Sequence, residues 1–146
     1  TMLSDETPIV VIAEPGREQE AILRLGRIGF DNVIGYLNGG MDSLQHRPDL
    51  VQRVDRITAL ALAEQRIAPN GPTVLDVRTE KEWSAGHIPG SLNIPLNHLR
   101  ERAAELGSSH MIVAHCEGGY RSAIAVSLLA QSGHSNVMDL VGGFKG

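Results

Sequence analysis

The sequence predicts an α/β fold with a mainly parallel sheet. Short, β-branched apolar runs alternate with segments in which apolar residues recur at helical spacing. Parallel strands need long crossover connections, and helices between strands supply them. The 146 residues, 42% hydrophobic and 21% charged, suffice for an ordinary globular core. A formal net charge of −4, without any Lys/Arg-rich run, argues against nucleic acid as a partner.

The first 41 residues are predicted to form a small domain of their own. Apolar residues at helical spacing separate two β-branched runs, and a Gly-Gly pair follows the second run. Residues 42–53 are polar and are interpreted as a linker. The predicted elements of this domain are a strand over 8–13, a helix over 18–28 and a strand over 33–37.

Residues 54–146 are predicted to form the main domain, in which strands and helices alternate throughout. Thr79 and Glu82 have the spacing of a capping box at the start of a short helix. The predicted strands cover 54–57, 73–77, 91–94, 111–115 and 136–141, and the predicted helices cover 59–67, 80–85, 99–106 and 122–132.

The order of elements in the first domain recurs at the end of the chain. Residues 111–143 again give a strand, a loop, a helix, a strand and a Gly-Gly pair, which indicates two copies of one unit. Glu14 stands in the first copy where Cys116 stands in the second. Only the second copy is therefore able to perform thiol chemistry.

Cys116, the only cysteine, follows a buried strand and opens a glycine-bearing loop that leads into a helix. Backbone N–H groups of such a loop converge on its centre, and the helix dipole adds to their effect. They favour the thiolate; lowering a thiol pKa by two units takes about 2.7 kcal/mol. The pattern predicts a nucleophile, the alternative being a buried structural thiol. A single cysteine also suits the reducing cytoplasm.

Other residues of the loop have predicted roles. Gly118 and Gly119 permit positive φ, which lets a loop turn its amide groups inward. Arg121 either holds the anionic part of a ligand or ties the loop to its neighbours. Tyr120 forms the rim of the pocket or packs on the surface.

Three charged residues near the loop are expected to influence which ligands it accepts or to hold the loop in place. Glu117 should repel a dianionic ligand. Asp76 and Arg78 lie at the carboxyl end of the strand over 73–77, and this edge of a parallel sheet is where ligands bind. They are interpreted as support beneath the loop. The alternative for Arg78 is an ion pair with Glu82 that fixes the following helix.

Three segments of the main domain, taken in order, resemble the rhodanese domain. They are LDVRTEKEWSAGHIPGSLNIPL over 75–96, VAHCEGGYRSAIAVSLL over 113–129 and VGGFKG at 141–146. The resemblance implies a five-stranded parallel sheet with helices on both faces, and a sulfurtransferase whose cysteine becomes a persulfide. It implies Cys116 as the nucleophile and an active-site loop formed by Cys116, Glu117, Gly118, Gly119, Tyr120 and Arg121, with Ser122 opening the helix.

The resemblance also bears on the first 41 residues. They resemble the back half of an inactive rhodanese repeat, and the paired order resembles the C-terminal part of proteins that join a metallo-β-lactamase-fold persulfide dioxygenase to rhodanese repeats. The chain is therefore expected to be a fragment or remnant of such a fusion. Its six histidines are scattered and lack an H-x-H-x-D-H pattern, so no metal and no cofactor are predicted.

The predicted activity moves a sulfane sulfur from thiosulfate or a small-thiol persulfide to cyanide or a thiol. Because Glu117 should repel the thiosulfate dianion, glutathione persulfide is the expected better donor. One alternative is a sulfur-carrying or sensing module that does not turn over. Another is a cysteine-dependent phosphatase or arsenate reductase, although phosphatases have Cys-x5-Arg and this chain has Cys-x4-Arg.

The expected partners are small sulfur compounds and a second copy of the chain. No apolar stretch approaches the roughly 20 residues that span a bilayer, so no membrane is expected as a partner. The partial repeat should leave a strand edge unpaired, which invites pairing with another chain. A homodimer through the first 41 residues is therefore predicted.

Overall fold

The computed structural model describes residues 4, 6–107 and 110–146. The chain divides into two compact units, Thr1–Arg53 and Val54–Gly146, called unit 1 and unit 2 below. Within the described part of the chain, no helix is both long and apolar enough to cross a membrane.

Unit 1 contains a two-stranded parallel sheet and one helix. Strand β1 (Ile9–Val11) pairs with strand β2 (Val33–Tyr36), and helix α1 (Glu18–Gly26) connects them. The helix ends before the predicted limit at residue 28, and Gly29 follows with a φ of +89°. Two short 3₁₀ helices, Gly40–Leu44 and Pro48–Leu50, complete the unit.

Unit 2 contains a five-stranded, entirely parallel sheet in the order β3-β7-β6-β4-β5. The predicted α/β class and the five parallel strands are therefore confirmed. Its strands are β3 (Asp55–Ile57), β4 (Thr73–Asp76), β5 (Leu92–Asn93), β6 (Ile112–His115) and β7 (Val137–Leu140). Its helices are α2 (Ala59–Gln65), α3 (Glu80–Ala85), α4 (Leu99–Arg102) and α5 (Tyr120–Gln131).

Two apolar clusters pack on opposite faces of this sheet, because successive side chains of a strand point to opposite sides. On one face, Leu75 and Ala114 join a cluster that includes Leu99 of α4. On the other face, Val74 and Val113 join a cluster that includes Leu62 of α2, together with Ile57 and Leu140. Helices therefore cover both faces, as predicted. The central strand β6 is buried over its whole length.

Three helices of unit 2 differ from their predicted limits. Helix α2 ends at Gln65 rather than at residue 67. Helix α5 begins at Tyr120 rather than Ser122, because Gly119 adopts a left-handed conformation, with a φ of +102°, and serves as the N-cap. The helix predicted over 99–106 is divided into α4 and a 3₁₀ turn, Ala103–Glu105. The candidate active site lies where β6 ends and α5 begins.

Candidate active site

Cys116 occupies the first position after β6, in a loop of four residues that leads into α5. Its side chain is buried, with 2% of its surface exposed. The Sγ atom accepts a hydrogen bond from the N–H of Gly119 at 3.2 Å. The Ser122 hydroxyl lies 3.7 Å from Sγ and donates to the Gly119 carbonyl at 3.1 Å. The first turn of α5 therefore surrounds the sulfur with donors.

These donors act against the cost of burial. Burial raises the pKa of the Cys116 thiol, because a thiolate is poorly solvated inside a protein. Hydrogen bonds from the N–H groups of Ser122, Gly119 and Gly118, together with the interaction with the Ser122 hydroxyl, lower it. The donors prevail, and the pKa of the thiol lies below its ordinary value. The loop therefore favours a nucleophilic thiolate.

The two glycines of the loop play different roles. Gly119 has positive φ, as predicted. Gly118 does not, and a Cβ on it would meet no atom within 4 Å. The prediction of positive φ is therefore wrong for Gly118, whose N–H group nevertheless interacts with the thiol. Tyr120 points outward with 82% of its surface exposed.

Arg121, in the first turn of α5, ties this end of the loop to helix α3. Its guanidinium donates two hydrogen bonds to the carboxylate of Glu82, Nη1 to Oε2 at 2.8 Å and Nη2 to Oε1 at 2.7 Å. Such a bidentate pair is stronger and more directional than a single contact. The hydrogen bonds from Arg121, and then those from Thr79, hold the pKa of Glu82 well below its usual range. The structure thus favours the second of the two roles predicted for Arg121.

Glu82 serves the helix and the loop at the same time. The capping box predicted from Thr79 and Glu82 is confirmed: Thr79 Oγ1 accepts from the Glu82 N–H, and Oε2 of Glu82 accepts from the Thr79 N–H. The pair between Glu82 and Arg121 joins residues 39 positions apart. Sequence reasoning missed it, since only the capping-box spacing was visible.

Arg78 forms a buried ion pair with Asp76 beneath the loop. Its Nη2 atom lies 2.7 Å from Asp76 Oδ2, and the side chains are 3% and 0% exposed. The alternative pairing of Arg78 with Glu82 is wrong. Residues 76 and 78 lie on the same side of an extended segment, which brings them together, whereas Glu82 is taken by Arg121. Arg78 Nη2 also donates to the Gly86 carbonyl at 2.7 Å.

Glu117 is held between two cations. Lys145 Nζ lies 2.8 Å from its Oε1 atom, and Arg78 Nη1 lies 3.3 Å from its Oε2 atom. Lys145, followed by Arg78, lowers the pKa of the Glu117 carboxyl. The carboxylate predicted to repel a dianion is therefore compensated locally. No local pattern predicted this ion pair, because Lys145 is distant from Glu117 along the chain.

His115 lies behind the nucleophile, fully buried. Burial lowers the pKa of its imidazole, although the nearby Asp76 carboxylate opposes this effect. Its Nδ1 atom lies 3.3 Å from the Cys116 carbonyl oxygen, which only accepts hydrogen bonds, so Nδ1 carries the proton. Nε2 lies 3.7 Å from Asp76 Oδ2 and has no hydrogen-bond partner among the residues that the structure describes.

An open cleft of about 340 Å³ lies beside the loop. Residues of the loop, of α3 and of the last turn of the chain contribute to it. Among the residues that the structure describes, no group of three or more His, Cys, Asp and Glu side chains has an arrangement that could hold a metal ion. The lining of the cleft includes Arg78, Glu82, Glu117, Phe144 and Lys145.

Comparisons with known proteins agree on one family. The sequence model of the rhodanese-like domain matches residues 59–146. An HTH-type transcriptional regulator of Mycobacterium tuberculosis is 47% identical over 66 residues, which are 45% of this chain and 29% of the regulator. A sulfurtransferase of Allochromatium vinosum is 30% identical over 90 residues, which are 62% of this chain and 84% of that protein.

A comparison with solved structures also finds the rhodanese-like fold. The crystal structure of a rhodanese-related protein from Thermoplasma volcanium matches with a TM-score of 0.57 and 38% identity, covering 62% of this chain and 87% of that one. The match of the family model, over more than half of the chain, agrees with the parallel sheet and the loop of unit 2. The chain belongs to the rhodanese-like domain family.

Proposed function

We propose that the protein is a sulfurtransferase that carries sulfur as a persulfide on Cys116. The observation on which this depends is the set of N–H donors around the Cys116 sulfur, which lower the pKa of the thiol despite its burial. Family membership supports the proposal, as does the name of the related Allochromatium vinosum sulfurtransferase. The loop residues 117–122 hold the nucleophile, and Asp76 and Arg78 support the loop from beneath.

The proposed reaction has two displacements at sulfur. The Cys116 thiolate attacks the outer sulfur of the donor; a new S–S bond forms, and the old one breaks with its electron pair leaving on sulfite or on a thiolate. An acceptor, cyanide or a thiolate, then attacks the outer sulfur of the persulfide. The bond to Cys116 breaks and the thiolate returns. No further oxidant, reductant or second cysteine is needed.

The charges of the loop support a small-thiol persulfide as the preferred donor. Arg121 is engaged by Glu82, and Glu117 is engaged by Lys145 and Arg78. Each charged side chain of the loop thus has an ionic partner, and a dianion such as thiosulfate would have to compete for the cations. A persulfide carries only one negative charge on its sulfur. We expect kcat/KM to be higher for glutathione persulfide than for thiosulfate; the opposite order would contradict this preference.

Intact-protein mass spectrometry tests the central step. After exposure to thiosulfate or glutathione persulfide and removal of the donor, the protein should gain about 32 Da, the mass of one sulfur atom on a thiol. Addition of cyanide should remove the gain. The Cys116→Ser variant is the control and should gain nothing. A wild-type protein that gains no sulfur from either donor would refute the proposal.

A regulatory module that holds sulfur without turning over is the second candidate. The related Mycobacterium tuberculosis protein is named as a transcriptional regulator, and the matched segment is less than a third of it. Turnover number distinguishes the candidates. An enzyme releases many equivalents of thiocyanate per chain from donor and cyanide, whereas a carrier or sensor releases about one equivalent and then stops.

We further propose that residues 1–41 are a partial, inactive rhodanese repeat, joined by the linker 42–53 to the domain 54–146. Both units contain, in the same order along the chain, a strand, a helix, a second strand parallel to the first, and a Gly-Gly pair. A Cβ on the second glycine of each pair, Gly40 or Gly143, would collide with a carbonyl just beyond the first of the two strands. Proteolytic cleavage within 42–53 should therefore leave sulfur transfer intact; its loss on cleavage would contradict this division.

Three wider proposals concern the setting of the protein. A dimer through unit 1 is supported by its two strands, which pair only with each other among the described strands. A metallo-β-lactamase-fold fusion is supported by the order of a unit without cysteine before a unit with one. A reducing, cytoplasmic setting is supported by the single cysteine, which would otherwise be exposed to oxidation.

A further inference from the structure

The last turn of the chain lies directly against the active-site loop. This turn, called the C-terminal turn here, comprises Gly142 and the 3₁₀ helix Gly143–Lys145. The N–H of Phe144 donates to the carbonyl oxygen of Cys116 at 2.8 Å, and the N–H of Lys145 donates to the carbonyl oxygen of Glu117 at 3.4 Å. The first two carbonyl groups of the loop therefore both face the C-terminal turn.

The direction of a carbonyl fixes the direction of the next N–H group. In a planar trans peptide the C=O and the following N–H point in opposite directions. When the carbonyls of Cys116 and Glu117 face the C-terminal turn, the N–H groups of Glu117 and Gly118 face away from it. Gly118 is one of the residues whose N–H stabilises the thiolate. His115 Nδ1, at 3.3 Å from the Cys116 carbonyl oxygen, supports the same orientation.

We propose that the C-terminal turn is a positioning element for the reaction: by binding the Cys116 and Glu117 carbonyls, it fixes the first two peptide groups of the loop and thereby aims the N–H of Gly118 at the Cys116 sulfur. The proposal deepens the proposed sulfurtransferase function and rests on it for its role in catalysis. Its residues act on the sulfur only through the loop.

Gly143 makes this contact sterically feasible. Its φ is +64°, and a Cβ built on it would lie 2.6 Å from the Cys116 carbonyl oxygen and 2.7 Å from that of Glu117. A side chain at this position would push both carbonyls away and rotate their peptide groups. The glycine is thus required by the approach of the two backbones, in addition to its backbone conformation.

Side chains hold the C-terminal turn in place on both sides of this contact. The Phe144 ring lies over the Arg78 guanidinium, 4.0 Å from it, in a cation–π arrangement. Asp76 fixes Arg78 from below, and Lys145 pairs with the carboxylate of Glu117. The buried pair of Asp76 and Arg78 thereby supports the loop through the C-terminal turn as well as directly.

The test compares two glycine variants of the full chain. Gly143→Ala places a methyl group against the loop. Gly133, just beyond the far end of α5, has a φ of +91°, and a Cβ built on it would meet no atom of the described residues within 4 Å. Both variants carry the cost of an alanine at positive φ. The readout is the thiol pKa of Cys116, taken from the rate of iodoacetamide alkylation as a function of pH.

We expect Gly143→Ala to raise the thiol pKa by about one unit or more, and Gly133→Ala to leave it unchanged. The rate of sulfur uptake by Gly143→Ala should fall at pH 7 and recover at higher pH, where the thiolate forms again. A folded Gly143→Ala protein with the wild-type thiol pKa would overturn the proposal.

A second pair of variants decides the matter if Gly143→Ala does not fold. Phe144→Leu keeps the backbone N–H that binds Cys116, whereas Phe144→Pro removes it. We expect the thiol pKa to rise clearly more in Phe144→Pro, and equal values would overturn the proposal. Alkylation needs no sulfur donor. A wild-type protein that takes up no sulfur would therefore refute the proposed function while leaving this comparison interpretable.

Discussion

Arg121 is the cation nearest the sulfur in sequence, and Glu82 neutralises it. Sequence reasoning left open whether this arginine binds a ligand, and two hydrogen bonds of 2.7 and 2.8 Å to Glu82 favour the structural role. The charge of Arg121 still interacts with the Cys116 thiolate. The balance between Glu82 and Arg121 therefore influences both the thiol pKa and the affinity for anions.

Replacing Glu82 by glutamine should shift that balance. Glutamine still suits the third position of a capping box, so α3 should persist, but the charge of Arg121 is no longer neutralised. We expect Glu82→Gln to lower the thiol pKa and to raise kcat/KM for thiosulfate several-fold. Glu80→Gln, on the same helix, is the matched control and should change neither quantity. A higher thiol pKa in Glu82→Gln would contradict this account.

His115 should make the stability of unit 2 depend on pH. Because burial holds its pKa below the ordinary 6.5, the unfolded chain binds a proton before the folded chain does. The contribution of His115 is fully present above pH 6.5 and is lost as the pH falls toward the folded-state pKa, by up to about 1.4 kcal/mol per pH unit.

Denaturant unfolding at pH 5 and pH 7.5 measures this effect. Asparagine at position 115 retains a donor near the Cys116 carbonyl and does not titrate, so His115→Asn should show a smaller loss of stability at pH 5 than the wild type. His98→Gln, at an exposed position, is the control. Its loss of stability between pH 7.5 and pH 5 should equal that of the wild type. If His115→Asn loses as much stability as the wild type, another group is responsible.

Helix α3 is short, and the capping box connects its stability to the active site. Replacing a capping threonine by alanine typically costs about 1 kcal/mol. Thr58 caps α2 in the same way, accepting from the Ala61 N–H at 3.3 Å. Arg121, however, forms its ion pair with Glu82 of α3. We expect Thr79→Ala and Thr58→Ala to destabilise the protein similarly.

Only Thr79→Ala should also change kcat/KM for thiosulfate, in the same direction as Glu82→Gln, because it loosens the Glu82 carboxylate that neutralises Arg121. Steady-state kinetics with thiosulfate and cyanide would show the difference, as a change in kcat/KM for Thr79→Ala beside an unchanged value for Thr58→Ala. Equal kinetics in the two variants would separate the capping box from the loop and contradict the coupling.

Local patterns of the sequence predicted the elements of unit 2 well. The aliphatic runs of β4 and β6 and the spacing of Thr79 and Glu82 are visible over a few residues, and the structure has them. The partners of the loop were not predictable in this way. Glu117 pairs with Lys145, and Arg121 pairs with Glu82 39 positions away, because the order of the strands brings these segments together. Strand order leaves no local pattern.

The two units bury very different amounts of apolar surface. Almost all of the buried aliphatic side chains that the structure describes lie in unit 2. Among the described residues of unit 1, the buried aliphatic side chain is that of Val11. In unit 1, Val10, Ile34 and Tyr36 on the strands have 46% to 66% of their surface exposed. An isolated two-stranded sheet is marginally stable in water. Unit 1 should therefore open far more readily than unit 2.

Hydrogen exchange at several protein concentrations tests this difference and the proposed dimer together. We expect the backbone amides of β1 and β2 to exchange much faster than those of β4 and β6 in dilute protein. Their protection should rise with concentration, because pairing between copies covers strand edges that are otherwise open. The amides of β4 and β6 are the internal control and should not respond. Self-association through unit 1 would be refuted by two results together: exchange in β1 and β2 that does not depend on protein concentration, and sedimentation as a monomer at every concentration.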